Sequence, residues 1–199
     1  MARATTFLNA RRAGALLLAC LWSGLQAPVV VAAPEPAPGF YVREAHSWVV
    51  DDVYQLRARI DYGLTRPVSE ALINGLPLVI ELQVQVVHSY FGVWDQPVAN
   101  LTQQYQLQYH ALTRQYLVRN LNSDVQRSYP TEQAALDALG DVDTLPLLDR
   151  RLLNDGVQYD GLIRARLDID SLPTPLRLAA YFDSDWRLAS AWYRWPVQH

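Results

Sequence analysis

Apolar and polar residues alternate along four segments of the chain. In Tyr54–Tyr62 the even-numbered residues are apolar and the odd-numbered residues are polar. A period of two residues is typical of a β-strand with one buried face and one solvated face. The same period recurs in three further segments, Ile80–His88, Leu101–His110 and Val157–Asp170.

Turn-forming residues separate these segments from four less regular ones, which also favour extended structure. The turns fall at Asp51-Asp52, Asn122-Ser123-Asp124, Asn154-Asp155-Gly156 and Asp183-Ser184-Asp185. Short strands at this spacing predict a mostly β fold, an antiparallel β-sandwich of immunoglobulin-like or barrel-like form. The less regular strands are Tyr41–Val50, Gln115–Leu121, Asp124–Tyr129 and Trp186–Val197.

Helix is predicted to be a minor part of the fold, as two or three short elements. One helix is expected between Pro67 and Gly75, because proline favours the start of a helix and glycine its end. A second covers Glu132–Leu139, with Thr131 as its N-cap. Leu145–Leu153 fits a helix or a turn, and Leu172–Leu178 is predicted as a loop or a single turn.

The N-terminus has the pattern of a secretory signal peptide. Residues 1–12 contain three arginines and no acidic residue, and Ala13–Ala33 carries no charge and ends in small residues. Cleavage is expected after Ala32, because a cut after Ala33 would place Pro34 next to it. We therefore expect a signal peptide over residues 1–32, a Pro-rich lead-in over 33–39 and a single β-rich domain over 40–199.

Two other interpretations of the N-terminus stay open. Twenty-one uncharged residues are long enough to span a bilayer, so the segment could be an uncleaved anchor. The stretch Leu17–Cys20 faintly resembles a lipoprotein box, although the chain stays apolar after Cys20. We expect an exported protein, either periplasmic or anchored to the inner membrane with its domain in the periplasm.

Charge and cysteine content narrow the possible chemistry. The chain has 17 arginines and no lysine, and all 20 acidic residues lie beyond position 34. A chain processed near residue 33 keeps 14 of the arginines, for a formal charge of −6, which is the wrong sign for nucleic acid. Contact with a membrane is expected only through an uncleaved N-terminal segment. Since Cys20 is the only cysteine, the exported part has no disulfide, thiol nucleophile or thiolate metal site.

The sequence contains none of the common catalytic motifs: no Gly-rich phosphate loop, no G-x-S-x-G and no H-E-x-x-H. The four histidines are not at metal-ligand spacing, and we expect no cofactor and no metal. The pairs Asp168/Asp170 and Asp183/Asp185 are interpreted as strand-end and turn residues. The outer-face pairs Arg57/Arg59 and Arg164/Arg166 are expected to form cross-strand ion pairs. The histidines are His46, His88, His110 and His199.

Aromatic residues are abundant, with five tryptophans beyond the N-terminal segment. If Trp186–Val197 is one strand, Trp186 and Trp192 point to one face while Tyr193 and Trp195 point to the other. Core packing explains many of these residues, but an exposed aromatic face suits a partner. Trp186, Trp192, Tyr193 and Trp195 are therefore the predicted binding residues.

Ordered motifs from residue 40 onward resemble an uncharacterised exported proteobacterial family, domain of unknown function 4390. They are YVREAHSWVVDDVYQLRARIDYGL, EALINGLPL, YHALTRQYLVRNLNS, LPTPLRLAAYF and WRLASAWYRWPV. The resemblance implies no known activity, cofactor or catalytic residue. Genes of the family often lie near a membrane sensor kinase, which implies an envelope protein partner.

Three functions are compatible with the sequence. The favoured one is a non-enzymatic β-sandwich that binds a protein or another component of the bacterial envelope, through a sheet edge or the aromatic tail. The second is an envelope hydrolase that uses His88 or His110 with a carboxylate such as Asp168. The third is a carrier of an apolar envelope molecule, which would need an apolar cavity of a few hundred Å³.

Overall fold

The computed structural model describes residues 38–90 and 94–198. Strands occupy more than half of this part of the chain. The strands are β1 (Gly39–Val50), β2 (Val53–Gly63), β3 (Leu78–Tyr90), β4 (Trp94–His110), β5 (Gln115–Asn120), β6 (Gln126–Tyr129), β7 (Asp141–Asp149), β8 (Tyr159–Leu167) and β9 (Tyr193–Val197). The predicted N-terminal signal peptide and most of the lead-in lie outside the described residues.

The strands form two antiparallel sheets. One sheet has the order β1-β2-β7, and the other has the order β6-β5-β4-β3-β8-β9. This arrangement confirms the predicted mostly β, sandwich-like class. The barrel-like form is not observed, since the sheets do not close into a barrel.

The core lies between the two sheets, where the alternating residues meet. Leu56 of β2 and Ile80 and Leu82 of β3 are completely buried, because the period of two turns every second side chain inward. A smaller apolar cluster includes Tyr54, Val86 and Tyr159.

The two long sides of the sandwich differ. On one side β1 packs against β8 and β9, and the indole Nε1 of Trp195 donates to Ser47 Oγ at 3.1 Å. On the other side the six-stranded sheet continues through β5 and β6, beyond the width of the three-stranded sheet. A helix, α2 (Glu132–Gly140), packs there against β2, β5, β6 and β7.

Two of the predicted helices are confirmed. α1 covers Arg66–Ile73, with proline in its first turn, and α2 begins after Thr131, whose Oγ1 accepts from the backbone N–H of Ala134 at 3.1 Å. The segment predicted as a loop or a single turn instead contains a third helix, α3 (Thr174–Phe182), which starts with Pro175 in its first turn. The ambiguous Leu145–Leu153 is the end of β7 followed by a 3₁₀ helix over Arg150–Leu152.

Two predicted strands are too long. Asp168 Oδ1 accepts from the backbone N–H of Asp170, which ends β8 and starts a 3₁₀ helix over Ile169–Ser171. Asp183 Oδ1 accepts from Asp185 N–H and starts another over Ser184–Trp186, so the last strand begins only at Tyr193. Short aspartate side chains bond the local backbone and so compete with strand pairing.

Within the described residues, no helix has the length and apolar character needed to cross a membrane.

Candidate functional site: a groove between the sheets

A groove of about 370 Å³ lies where the two sheets part. Its walls come from the inner face of β4–β6, from the end of α2 and from β7. The lining side chains divide almost evenly between apolar or aromatic and polar. They are Tyr105, Val118, Val125, Tyr129, Ala138, Leu139, Val142 and Leu145 in the first group, and Asn120, Ser123, Arg127, Asp141, Asp143 and Thr144 in the second.

A bulge in β7 gives the groove its apolar floor. Leu56 of β2 pairs with Leu145, and Ala58 pairs with Val142, so β7 has one more residue than β2 over this interval. The extra residue lets Val142 and Leu145 both turn inward despite their odd spacing. Both side chains are buried below the groove surface.

The polar rim is held by ion pairs and turn hydrogen bonds. Arg57 contacts the carboxylate of Asp143, and Arg59 Nη2 lies 3.5 Å from Asp141 Oδ1. On the opposite rim, Asn120 Oδ1 accepts from the backbone N–H of Ser123 at 3.0 Å, which fixes the turn between β5 and β6. These contacts confirm the expectation of cross-strand ion pairs for Arg57 and Arg59.

One wall of the groove is a sheet edge. In the part of the chain that the structure describes, β7 pairs with β2 alone, so its other side carries backbone groups that no strand occupies. Such an edge can pair with an added strand.

Tyr105 is the titratable group deepest in the groove. Burial raises the pKa of its phenol, so the side chain is neutral at physiological pH. It can offer a hydrogen bond beside an apolar surface but no charge.

The predicted aromatic binding residues do not form one surface. Trp186 and Trp195 are buried in the core, at 8% and 3% exposure. Trp192 is 39% exposed, with the Arg164 guanidinium 4.7 Å from its ring centroid, and Tyr193 is half-buried opposite Ile163. Because Trp186 ends a 3₁₀ helix and the last strand begins at Tyr193, the predicted alternation applies only from Tyr193 onward. Of the four residues, Trp192 and Tyr193 are the more exposed.

The histidines are far from the carboxylate proposed for them. His88 pairs with Tyr159 at one end of β8, whereas the N–H of Asp168, beyond the other end, donates to Val79. Nine residues of β3 separate His88 from Val79, about 30 Å at about 3.3 Å per residue. His110 lines an open depression of about 300 Å³, whose lining contains no Asp or Glu.

Metal-ligating side chains are not clustered in the part of the chain that the structure describes. Over residues 38–90 and 94–198, no group of three or more His, Cys, Asp or Glu side chains is placed to hold a metal ion. His46 packs beside the Trp48 ring, and His199 lies outside the described residues.

The sequence matches the family model described as Domain of unknown function (DUF4390) over residues 37–196. The chain belongs to this family. The resemblance noted from the motifs is confirmed, and the DUF4390 match spans β1 to β8, most of β9 and all of the groove residues. No curated protein and no solved structure matches the chain.

The groove of this DUF4390 domain was not predicted from the sequence. Its floor depends on a bulge and on the docking of α2 across two sheets, and neither feature leaves a local pattern. The one available signal was the apolar residues around Leu145, which were compatible with helix or turn.

Proposed function

We propose that this domain is a non-enzymatic binding module of the bacterial envelope and that its groove receives an extended segment of another protein. The observation that carries the proposal is the combination of an apolar floor with an open strand edge at β7. Main-chain bonds to an edge supply affinity, and pockets for alternate side chains supply specificity.

The size and polarity of the groove fit a peptide segment better than a small apolar cargo. A volume of about 370 Å³ accommodates two or three large side chains. The rim carries Arg127 on one side and Asp141 and Asp143 on the other, so it can hydrogen-bond to a peptide backbone. An apolar carrier would enclose its cargo, whereas this groove opens to solvent.

The envelope location rests on the N-terminal pattern. Residues 13–33 form an uncharged run of the kind found in export signals. The domain contains no cysteine, so its fold does not depend on the oxidation state of the compartment. Mass spectrometry of the first residue of the native protein distinguishes a cleaved signal peptide from an anchor. If a C-terminal reporter that functions only in the cytoplasm is active when fused to the protein, export is contradicted.

A substitution that fills the groove tests the proposed site. Ala138 lies on α2 and lines the groove, so Ala138→Phe should block it without breaking a hydrogen bond. Gln133→Phe places the same ring on the exposed face of the same helix and serves as the control. We expect peptides selected from a random library on the wild-type protein to bind Ala138→Phe at least about tenfold more weakly, and Gln133→Phe normally.

Binding of the apolar probe 1-N-phenylnaphthylamine distinguishes a carrier of apolar molecules from a peptide-binding module. If the selected peptides bind both variants equally, or no peptide is selected, the groove is not a peptide site. If the probe binds and Ala138→Phe abolishes its binding while no peptide is selected, the protein is a carrier of apolar molecules and the proposal fails.

A further inference from the structure

The charged side chains that line the groove are unevenly paired. Asp143 and Asp141 on β7 contact Arg57 and Arg59 of β2, so this side of the groove carries no net charge. Arg127 lies on β6 at the opposite side, and within the described residues it has no carboxylate partner. The groove therefore contains one positive charge that the fold does not neutralise.

Arg127 lies on the face of β6 that is turned toward the other sheet. β6 is an edge strand, and Arg127 pairs there with Val118 of β5, which packs against the core. Because paired residues of neighbouring strands share a face, Arg127 is on the groove side of its sheet. An inward-facing charge on an edge strand discourages pairing with other chains. The same charge attracts a groove occupant of opposite sign.

Tyr105 supplies a neutral hydrogen-bond donor inside the groove. Its phenol is half-buried, and within residues 38–90 and 94–198 its hydroxyl has no hydrogen-bond partner. Tyr62 is buried close by, and burial together with the Tyr105 phenol raises the pKa of Tyr62, so both hydroxyls keep their protons at physiological pH. Polar groups held away from water are normally hydrogen-bonded. The Tyr105 hydroxyl is therefore suited to donate to an acceptor that enters the groove.

Tyr105 and Arg127 can reach the same bound group. Leu107, Val118 and Arg127 lie side by side on β4, β5 and β6, and Tyr105 is two residues before Leu107 on the same face. Two strand spacings of about 4.8 Å and one two-residue step of about 6.7 Å place the Cα atoms of Tyr105 and Arg127 about 12 Å apart. Both side chains are long, so a group lying between them can contact the phenol on one side and the guanidinium on the other.

We propose that the occupant of the groove presents a carboxylate, which accepts hydrogen bonds from the Tyr105 hydroxyl and the Arg127 guanidinium. This inference rests on the proposed function and specifies its ligand, an extended segment that carries either an acidic side chain or its own C-terminal carboxylate. A carboxylate accepts several hydrogen bonds at once, and a guanidinium is the donor that matches its planar shape. The apolar residues on either side of the carboxylate would lie on Val142 and Leu145.

The net charge of the domain makes this preference specific to the groove. A chain processed near residue 33 has a formal charge of −6, so the molecule as a whole repels acidic peptides. A preference for a carboxylate can then come only from a local positive charge. This separates the proposal from a general attraction between opposite charges.

Peptides selected on the wild-type protein from a random library with free C-termini test the proposal. We expect Asp or Glu to be enriched at one position, or the C-terminal residue to be fixed. Each selected peptide is synthesised again with its acidic side chain replaced by the corresponding amide, and separately with a C-terminal amide. The form that loses at least about tenfold in affinity identifies the source of the carboxylate.

Two variants of the protein locate the carboxylate in the groove. Arg127→Gln should weaken the original peptide about tenfold and its amide form less than about twofold. Tyr105→Phe should also weaken the original peptide more than the amide form, without lowering the melting temperature, because the hydroxyl has no partner in the fold to lose. Arg151→Gln, which removes an exposed arginine outside the groove lining, is the control and should leave both affinities unchanged.

The possible failures are distinguishable. If Ala138→Phe blocks the selected peptides but they contain no preferred carboxylate, or if Arg127→Gln weakens the original and amide forms equally, this inference is wrong and the peptide groove stands. If Arg127→Gln makes the protein self-associate and leaves peptide affinity unchanged, Arg127 protects the edge of β6 and the inference is wrong. If no peptide is selected, the proposed function fails and this inference fails with it.

Discussion

At Gly161 the absence of a side chain makes room for an indole. Gly161 lies on β8 directly opposite Trp195 on β9, and a Cβ added to it would lie 2.1 Å from Trp195 Cζ2. The ring covers the glycine and reaches Ser47 on the other sheet. A glycine inside a strand often marks such a close approach.

Gly161→Ala should therefore lower the free energy of unfolding by about 2–4 kcal/mol, since a buried indole cannot move aside cheaply. Trp195→Phe removes the atoms nearest the new methyl group. We expect the double variant to lose less stability than the sum of the two single variants in chemical denaturation. Strict additivity would show that the two residues do not share this contact.

Glu81 is a buried carboxylate on the predicted wet face of β3. Burial raises the pKa of Glu81, but hydrogen bonds from Arg166, Gln104 and Gln83, together with the positive charge of Arg166, outweigh burial and lower the pKa below its ordinary value. Arg166 Nε donates at 2.7 Å, and Gln104 Nε2 at 3.0 Å. The ionised form is therefore the one that the fold stabilises.

Glu81→Gln should cost about 1–2 kcal/mol of unfolding free energy at pH 7, a range that allows for the partial exposure of Arg166. Because the folded pKa is lowered, the contribution of Glu81 is present above its unfolded pKa and is lost as pH falls through the folded pKa. The deficit of the variant should thus shrink between about pH 5 and pH 3.

Glu70→Gln, in the exposed i,i+4 pair with Arg66, is the control and should change stability by less than about 0.5 kcal/mol. A Glu81→Gln deficit that is the same at pH 7 and at pH 3 would contradict this account.

Among the secondary-structure elements, α2 links the two sheets at the groove. Its last residue, Gly140, lies so close to β2 that an added Cβ would be 2.0 Å from the Ile60 carbonyl oxygen. Its first turn is fixed by the Thr131 cap. The helix is thus positioned at both ends.

Thr131→Ala should lower the unfolding free energy by about 1 kcal/mol, because the N–H of Ala134 loses its acceptor. Gln133→Ala, in the same turn, breaks only a side-chain bond to Asp137 and should change stability by less than about 0.5 kcal/mol. Thermal and urea denaturation measure both. Equal losses for the two variants would mean that the cap does not stabilise α2.

The elements predicted correctly from the sequence are those that are determined by residues close together in the chain. The alternation in Tyr54–Tyr62 and the cap at Thr131 are properties of neighbouring residues, and both are confirmed. The strand predicted over Trp186–Val197 is too long and begins only at Tyr193. Asp183 accepts a hydrogen bond from the backbone N–H of Asp185 and starts a 3₁₀ helix there, which the pattern of aromatic residues does not indicate. The helix at Thr174–Phe182 was not predicted, although the proline in its first turn, Pro175, is compatible with a helix start.

For the molecule as a whole, the closed side of the sandwich is filled by core packing, whereas the open side forms the groove. On the closed side Trp195, one of the aromatic residues predicted to bind a partner, instead contacts Ser47 in the core. The open side, with α2 and the edge strand β7, forms the groove from residues far apart in sequence. Its position depends on tertiary packing, which no local pattern predicts.

Cross-linking from inside the groove in living cells is the most direct test of the proposal that the groove holds a segment of another envelope protein. Thr144 is exposed and lines the groove, so the photoreactive residue benzoylphenylalanine placed there contacts an occupant. The same residue at Gln133, on the outer face of α2, is the control.

We expect a cross-link from residue 144 to one contiguous segment of one envelope protein. It should be absent from residue 133 and lost when Ala138→Phe fills the groove. A cross-link that forms equally from both positions, or one that persists in the Ala138→Phe background, would contradict it.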